Sequence, residues 1–234
     1  MSIVVPAILP SSRKDLEEKL ARLQPITSIT DVQIDVVDGR FAAPATWPYT
    51  SDGFSEMLPL WERFRYDIDL MVADPEAVTG AWIGAGAARL TVHAESTTYV
   101  SKLITELTHK FGHEPGLLPN LLSLGLAIGI DTDNALVEQY AEVIDYVQFM
   151  GIAKIGVQGQ PFDPRVLYKI KSFHKRYPEL LIQVDGGVSL QTAPQLLDAG
   201  VGRLIVGSAL EKAEDVEAEI AKFDALTNMH GMFA

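Results

Sequence analysis

The chain has 234 residues, 47% hydrophobic and 21% charged, enough apolar material for a sizeable globular core. Lys and Arg number 19 against 31 Asp and Glu, a net charge of −12 that argues against a nucleic-acid or anionic-membrane surface, although a small phosphorylated ligand held by local N–H groups is compatible with it. The absence of cysteine excludes disulfides, thiolate metal sites and cysteine nucleophiles.

Apolar runs and helical patterns alternate along the chain. Residues 3–9 read as a first strand, too short to span a membrane, interrupted by Pro6 and without a basic leader; the cytoplasm is the expected compartment. A helix over 13–23 follows, with Ser12 three residues before Asp15 as its cap. Strands are expected over 32–36, 66–72, 89–93, 125–130, 146–150, 181–184 and 203–206. Helices are expected over 53–63, 75–84, 99–110, 134–142, 164–176, 190–199 and 213–223. Such alternation is what a single (β/α)8 TIM barrel needs, and the length is close to the roughly 250 residues of that fold. An open doubly wound sheet fits less well, because its first strand-to-helix turn often carries glycines and Leu9-Pro10-Ser11-Ser12 has none. No linker divides the chain, so one domain over 1–234 is expected. Residues 112–124 read as a long connection on the face opposite the chemistry, its leucines packed beneath the barrel or forming a contact surface.

Two of the later strands stop abruptly in glycines, Gln183-Val184-Asp185-Gly186-Gly187-Val188 and Leu204-Ile205-Val206-Gly207-Ser208-Ala209. Glycines there let backbone N–H groups approach an anion, and the last two strands of such barrels commonly hold a phosphate. Asp185 would stand beside it. Carboxylates also crowd the ends of other strands: Gln33 and Asp35 share one face of the second, Asp67 and Asp69 one face of the third. With those faces inward, Gln33, Asp35, Asp69 and Asp185 converge. Any single aspartate is explained as well by a turn cap or by a pair with Arg40, Arg65 or Lys154. Several together require a cation or a retained proton, and carboxylates on two sides of a sugar can remove and return a proton.

Further motifs carry a resemblance. Pro6-Ala7-Ile8-Leu9, Asp35-Val36-Val37-Asp38-Gly39-Arg40-Phe41, Asp69-Leu70-Met71-Val72, Thr91-Val92-His93-Ala94-Glu95 and Gly156-Val157-Gln158-Gly159-Gln160-Pro161-Phe162, with the two glycine segments above, occur in the order and spacing of ribulose-phosphate 3-epimerases. The chain resembles that family over nearly its whole length, which implies a ribulose-phosphate-binding type of TIM barrel. It implies an isomerase of carbohydrate metabolism, interconverting ribulose 5-phosphate and xylulose 5-phosphate by inverting C3 through an enediolate. Asp35 and Asp185 align with the two acid/base aspartates. Gly156, Gly159, Gly186, Gly187, Gly207 and Ser208 align with the phosphate loops, and Met71 and Met150 with methionines that cover the sugar.

The departures lie at the metal site. The family holds a divalent metal with the two aspartates and two histidines, and here those histidine positions carry Gln33 and Asp69. Pro10 replaces a serine after the first strand, and Ala153-Lys154-Ile155 replaces an Asn-Pro before the sixth-strand loop. Three readings stay open. Asp35, Asp69, Asp185 and Gln33 form an all-oxygen set suited to Mg²⁺ or Mn²⁺ rather than Zn²⁺. Alternatively there is no metal and Lys154 supplies positive charge. In the third, the barrel is a non-catalytic sugar-phosphate-binding or regulatory protein. A lyase or decarboxylase is less suited, because Asp69-Leu70-Met71-Val72 lacks the lysine such relatives carry. The expected partner is a small phosphorylated sugar, with no nucleic acid and no membrane; a homo-oligomer and a monomer are both compatible with the sequence. His93 fits a hydrogen-bonded core position, and Trp47 is a candidate cover for the barrel mouth.

Overall fold

The computed structural model describes residues 3–50, 57–111 and 122–231. Strands β1 (Val4–Ile8), β2 (Asp31–Val37), β3 (Arg65–Met71), β4 (Ala87–His93), β5 (Ser123–Ile128), β6 (Tyr146–Met150), β7 (Leu181–Asp185) and β8 (Arg203–Val206) pair in chain order, all parallel. The ring closes where β8 returns to β1, with Val4 opposite Leu204. Around it lie α1 (Arg13–Leu23), α2 (Pro75–Gly84), α3 (Val100–Phe111), α4 (Ala135–Glu138), α5 (Arg165–Arg176), α6 (Ala193–Asp198), α7 (Ser208–Glu211) and α8 (Val216–Met229). The fold is the TIM barrel that the alternating pattern predicts. Among the described residues no helix is long and apolar enough to cross a membrane.

The main apolar core is a cylinder between strands and helices. Ile34, Ile68, Leu90, Leu126 and Phe149 share one buried cluster with Leu16, Trp82, Leu103, Phe173 and Phe223 from the helices. Burying each such side chain contributes roughly 1.5–3 kcal/mol. The alternate strand residues face into the barrel, where several are polar. Gln33, Asp35, Asp67, Asp69, Arg89, Thr91, Gln148, Gln183 and Arg203 are all 5% exposed or less. Polar groups that deep must pair or destabilise the fold, so each needs a partner inside the barrel.

Asp67 is the hub of the lower interior. Its carboxylate accepts from Arg89 Nε at 3.3 Å, Arg203 Nη1 at 3.1 Å, and the Thr91 and Tyr146 hydroxyls at 3.3 Å. The Arg89 guanidinium also lies 3.9 Å from the centre of the Tyr146 ring. Arg203 in this layer also fixes the direction of the hydrogen bonds that run from Gln183 through Gln148 to Asp69 above it.

Several element boundaries differ from the sequence pattern. Of the helix expected over 53–63, residues 51–56 lie outside the described residues, and 57–63 form a turn. Pro59 and the left-handed Leu60 (φ 53°) interrupt helical geometry there. The helix expected over 134–142 ends at Glu138, because Tyr140 and Ala141 N–H bond three residues back and tighten the chain. Asp215 rather than Ala213 starts α8, its carboxylate accepting from Ala218 N at 2.9 Å. The 190–199 helix shortens to α6 because Ser189 and Thr192 form a hydrogen-bonded turn before Ala193. Most of 112–124 lies outside the described residues; Ser123 and Leu124 open β5.

Candidate functional site

The C-terminal ends of β2, β3, β6, β7 and β8 open onto a cleft of about 500 Å³. Asp35, Asp185, Met71 and Met150 line one part of it, and Gly156, Gly159, Gly186, Gly187, Gly207 and Ser208 line another. Gln33 and Asp69 do not reach its surface. Both are fully buried: Gln33 hydrogen-bonds Asp35 and Asp185, and Asp69, in register with Asp35, has an oxygen within 4.8 Å of theirs.

The carboxylate cluster is tight. One oxygen from each of Asp35, Asp69 and Asp185 lies within 4.8 Å of those of the other two. Gln33 joins two of them: its Nε2 donates to Asp35 Oδ1 at 2.8 Å and to Asp185 Oδ2 at 2.6 Å. Ordinary pairing is excluded as the explanation, since Arg40 is engaged by Asp74 and Arg65 by Asp31. Burial, then the charges of Asp185 and Asp69, hold the Asp35 carboxyl well above the usual 3.8. Burial and Asp69 push Asp185 up to about 7, with the Gln33 amide and the Gly186 N–H pulling the other way. Near neutrality the pair therefore retains a proton, as close buried carboxylates must.

Asp69 is positioned by a hydrogen-bond chain whose polarity starts from arginine. Arg203 has only donors, so Gln183 Oε1 accepts from it at 2.7 Å. Gln183 Nε2 must then donate, to Gln148 Oε1 at 2.6 Å, and Gln148 Nε2 donates to Asp69 Oδ2 at 3.0 Å. The other Asp69 oxygen faces His93 Nε2 at 3.2 Å without hydrogen-bond geometry. Burial lowers the His93 pKa, but the neighbouring Asp69 charge and its contact outweigh it and leave the net shift upward.

The donor set has the chemistry of a hard-cation site. Gln33 Oε1 and Asp69 Oδ1 are buried oxygens without a hydrogen-bond partner among the described residues, beside two carboxylates that repel each other. Three carboxylates suit Mg²⁺ or Mn²⁺; the Gln33 nitrogen faces two of them, so its oxygen would join a cation only with the amide rotated.

The other end of the cleft is built from backbone. Gly186 and Gly187 are successive positive-φ residues (φ 94° and 69°), a turn that brings backbone rather than side chain to the cleft, as an anion-binding nest does. Side chains are excluded there: a Cβ on Gly187 would lie 2.7 Å from the Phe162 Cα.

Three sequence readings change or sharpen. Trp47 does not cover the mouth; it is 1% exposed and packs edge-on against Trp82, with centroids 5.9 Å apart. Lys154 is exposed and lies outside the cleft lining. His93 is buried as expected, its Nε2 3.2 Å from Asp69 Oδ1 but without the expected hydrogen-bond geometry. Gln148, Gln183 and Arg203 escaped the sequence reading; their signal is a polar residue in the inward register of an otherwise apolar strand. Gln158, which lines the cleft between the glycines, was also missed.

Comparison with known proteins agrees with this architecture. The profile of the Ribulose-phosphate 3 epimerase family matches residues 3–211. The chain is 29% identical to the ribulose-phosphate 3-epimerase of Schizosaccharomyces pombe over 219 residues, 93% of this chain and 90% of the relative. It is 31% identical to that of Bacillus subtilis over 199 residues, 82% and 84% respectively. Among solved structures it is similar in fold to a 3-hexulose-6-phosphate synthase, with TM-score 0.67 and 18% identity over 95% of this chain and 98% of the other. It is also similar to KGPDC from Streptococcus mutans, with TM-score 0.71 and 13% identity over the whole of both chains.

Proposed function

The chain belongs to the ribulose-phosphate 3-epimerase family, and from that premise we propose that it is a cytoplasmic sugar-phosphate epimerase that interconverts ribulose 5-phosphate and xylulose 5-phosphate. One observation carries the reading. Two aspartates with raised proton affinity, Asp35 on β2 and Asp185 on β7, line a cleft whose other end is a glycine nest. The nest would hold the phosphate and Met71 and Met150 would pack on the sugar, setting C3 between the carboxylates. The ionised aspartate removes the C3 proton; the protonated one returns a proton to the opposite face of the enediolate. Burial and mutual repulsion raise the proton affinity of both carboxyls, which suits one to act as base and the other as acid.

Asp35, Asp69, Asp185 and the amide oxygen of Gln33 would hold a divalent cation, Mg²⁺ or Mn²⁺. When bound, the cation supplies positive charge beside the oxygens that become negative during proton removal. Asp69 is kept aimed at that position by Gln148, and Asp69 and Gln33 are shielded from bulk water by burial.

Formation of xylulose 5-phosphate by the purified chain with Mg²⁺ or Mn²⁺ tests the assignment. Turnover is expected, falling about 10²–10⁴-fold in Asp35→Asn and in Asp185→Asn. A second reading, a non-catalytic sugar-phosphate-binding or regulatory protein, draws on the Gln33 amide already bridging the two carboxylates. It predicts binding of the phosphate ester with no product under any added cation.

A further inference from the structure

His93 follows Arg89 and Thr91 on the inward face of β4, and the proton transfers make no use of it. Thr91 is in register with Asp69 on β3, so His93 stands one inward step nearer the mouth, diagonally above that carboxylate. Its Nε2 lies 3.2 Å from Asp69 Oδ1. Both atoms are buried, and among the described residues neither has a hydrogen-bond partner. Two other contacts hold the residue. Its carbonyl accepts from the Ser96 N–H at 3.0 Å and from the Ser96 hydroxyl at 2.8 Å, which fixes the end of β4. The Phe41 ring packs against the imidazole, with centroids 5.3 Å apart and planes tilted by 54°.

The contact with Asp69 lacks only alignment, and the ring can supply it. The last torsion of a histidine side chain is broad, so a small turn of the imidazole aims Nε2 at Oδ1 at little cost. An ionised carboxylate only accepts, so the nitrogen that faces it carries the hydrogen. Each carboxylate oxygen has two lone pairs, which lets Oδ1 take the imidazole on one and a cation on the other. Three carboxylates with oxygens within 4.8 Å of one another repel, and each needs donors to keep its place. Asp35 and Asp185 share the Gln33 amide. Asp69 takes the Gln148 amide on Oδ2 at 3.0 Å, and the imidazole is the group that faces Oδ1.

We propose that His93 is a positioning residue: it donates from Nε2 to Asp69 Oδ1 and, with Gln148 on the other oxygen, holds that carboxylate turned toward Asp35 and Asp185. The inference rests on the three aspartates being the cation site. His93 then acts on cation affinity through Asp69, touching neither the cation nor the sugar.

Two readouts on the full chain test it. The first needs no cation: NMR of the imidazole nitrogens in the metal-free chain is expected to show a hydrogen on His93 Nε2, with a signal that moves in Asp69→Asn. A bare Nε2, or a signal unmoved in Asp69→Asn, would overturn the pair. The second is Mn²⁺ affinity, read from the electron paramagnetic resonance of the free ion. His93→Phe, which keeps a ring against Phe41, and His93→Asn are expected to bind Mn²⁺ about 10–100-fold more weakly. His93→Gln, whose amide nitrogen can take the place of Nε2, is expected to restore most of that affinity. Circular dichroism shows which variants fold as the parent does, and His93→Asn carries the test if the larger ring does not fit. Parent-like affinity in His93→Phe and His93→Asn, or a His93→Gln as weak as they are, would overturn the positioning role. A parent chain that takes up no Mn²⁺ would overturn the cation site and the positioning role together, and the NMR readout separates that result from failure of the pair itself.

Discussion

The Gln33 side chain donates to Asp185 at 2.6 Å across the barrel mouth, linking β2 to β7 at the level where the proposed proton transfers occur. The same nitrogen also serves Asp35, so one neutral amide holds together two carboxylates that would otherwise repel. Its oxygen is left buried without a partner. Rotating the amide by half a turn would exchange the two roles, presenting an oxygen to a cation where a nitrogen now faces carboxylates.

Gln33→Leu removes both roles. Mn²⁺ affinity, followed by the electron paramagnetic resonance of the free ion, is expected to fall about tenfold or more, as when metal-site partners are lost elsewhere. Gln33→His is expected to shift preference toward Zn²⁺. Equal or tighter Mn²⁺ binding in Gln33→Leu would show that the amide is no ligand.

The raised proton affinity of Asp185 sets the sign of a pH dependence. Its carboxyl titrates near 7 in the folded chain against the usual 3.8, so between those values the folded state holds a proton that the unfolded state has released. That contribution to stability is fully present below about pH 4 and is lost as pH rises through about 7; Asp35 acts in the same direction. Urea midpoints across this window should fall less steeply in Asp185→Asn than in the parent. Parallel curves for the two would contradict the assignment. Metal binding has the opposite sign, because protons compete for the same oxygens: Mn²⁺ affinity should rise as pH climbs toward and past about 7.

Gln148→Leu cuts the chain that begins at Arg203. It leaves the Asp69 carboxylate and the Gln183 amide each short of a buried partner, and a loss of about 2–4 kcal/mol in unfolding free energy is expected. A urea midpoint within about 0.5 kcal/mol of the parent would mean that the chain carries little.

Gly187→Ala tests the nest. The new methyl meets Phe162 backbone at 2.7 Å and the residue sits at φ 69°, so the loop must move. Inorganic phosphate affinity is expected to drop tenfold or more, about 1.4 kcal/mol, with the barrel still folded by circular dichroism. Parent-like affinity would place the phosphate elsewhere.

The barrel itself was legible because its strands are short apolar runs ended by glycine or polar residues, as at Asp185-Gly186-Gly187 and Val206-Gly207-Ser208. The carboxylates at strand ends were legible for the same reason: alternation places Asp35 and Asp69 inward once their strands are known. What periodicity cannot give is the order of contacts across the barrel. Gln148 and Asp69 are 79 residues apart, and their hydrogen bond depends on barrel closure and register rather than on local pattern. Trp47 misled because an aromatic residue in a loop beside the mouth can turn in either direction, and packing against Trp82 decides it. Lys154, the cation in one of the three readings of the site, is exposed and outside the cleft lining, and a loop residue's direction is not written in local pattern.

The most direct test is solvent exchange at C3. Ribulose 5-phosphate incubated with the chain in deuterium oxide, with Mg²⁺ or Mn²⁺ present, should gain deuterium at C3 as xylulose 5-phosphate appears. Asp35→Asn and Asp185→Asn should each slow the conversion about 10²–10⁴-fold. A sugar phosphate that binds but keeps its C3 proton under either cation would contradict the epimerase assignment.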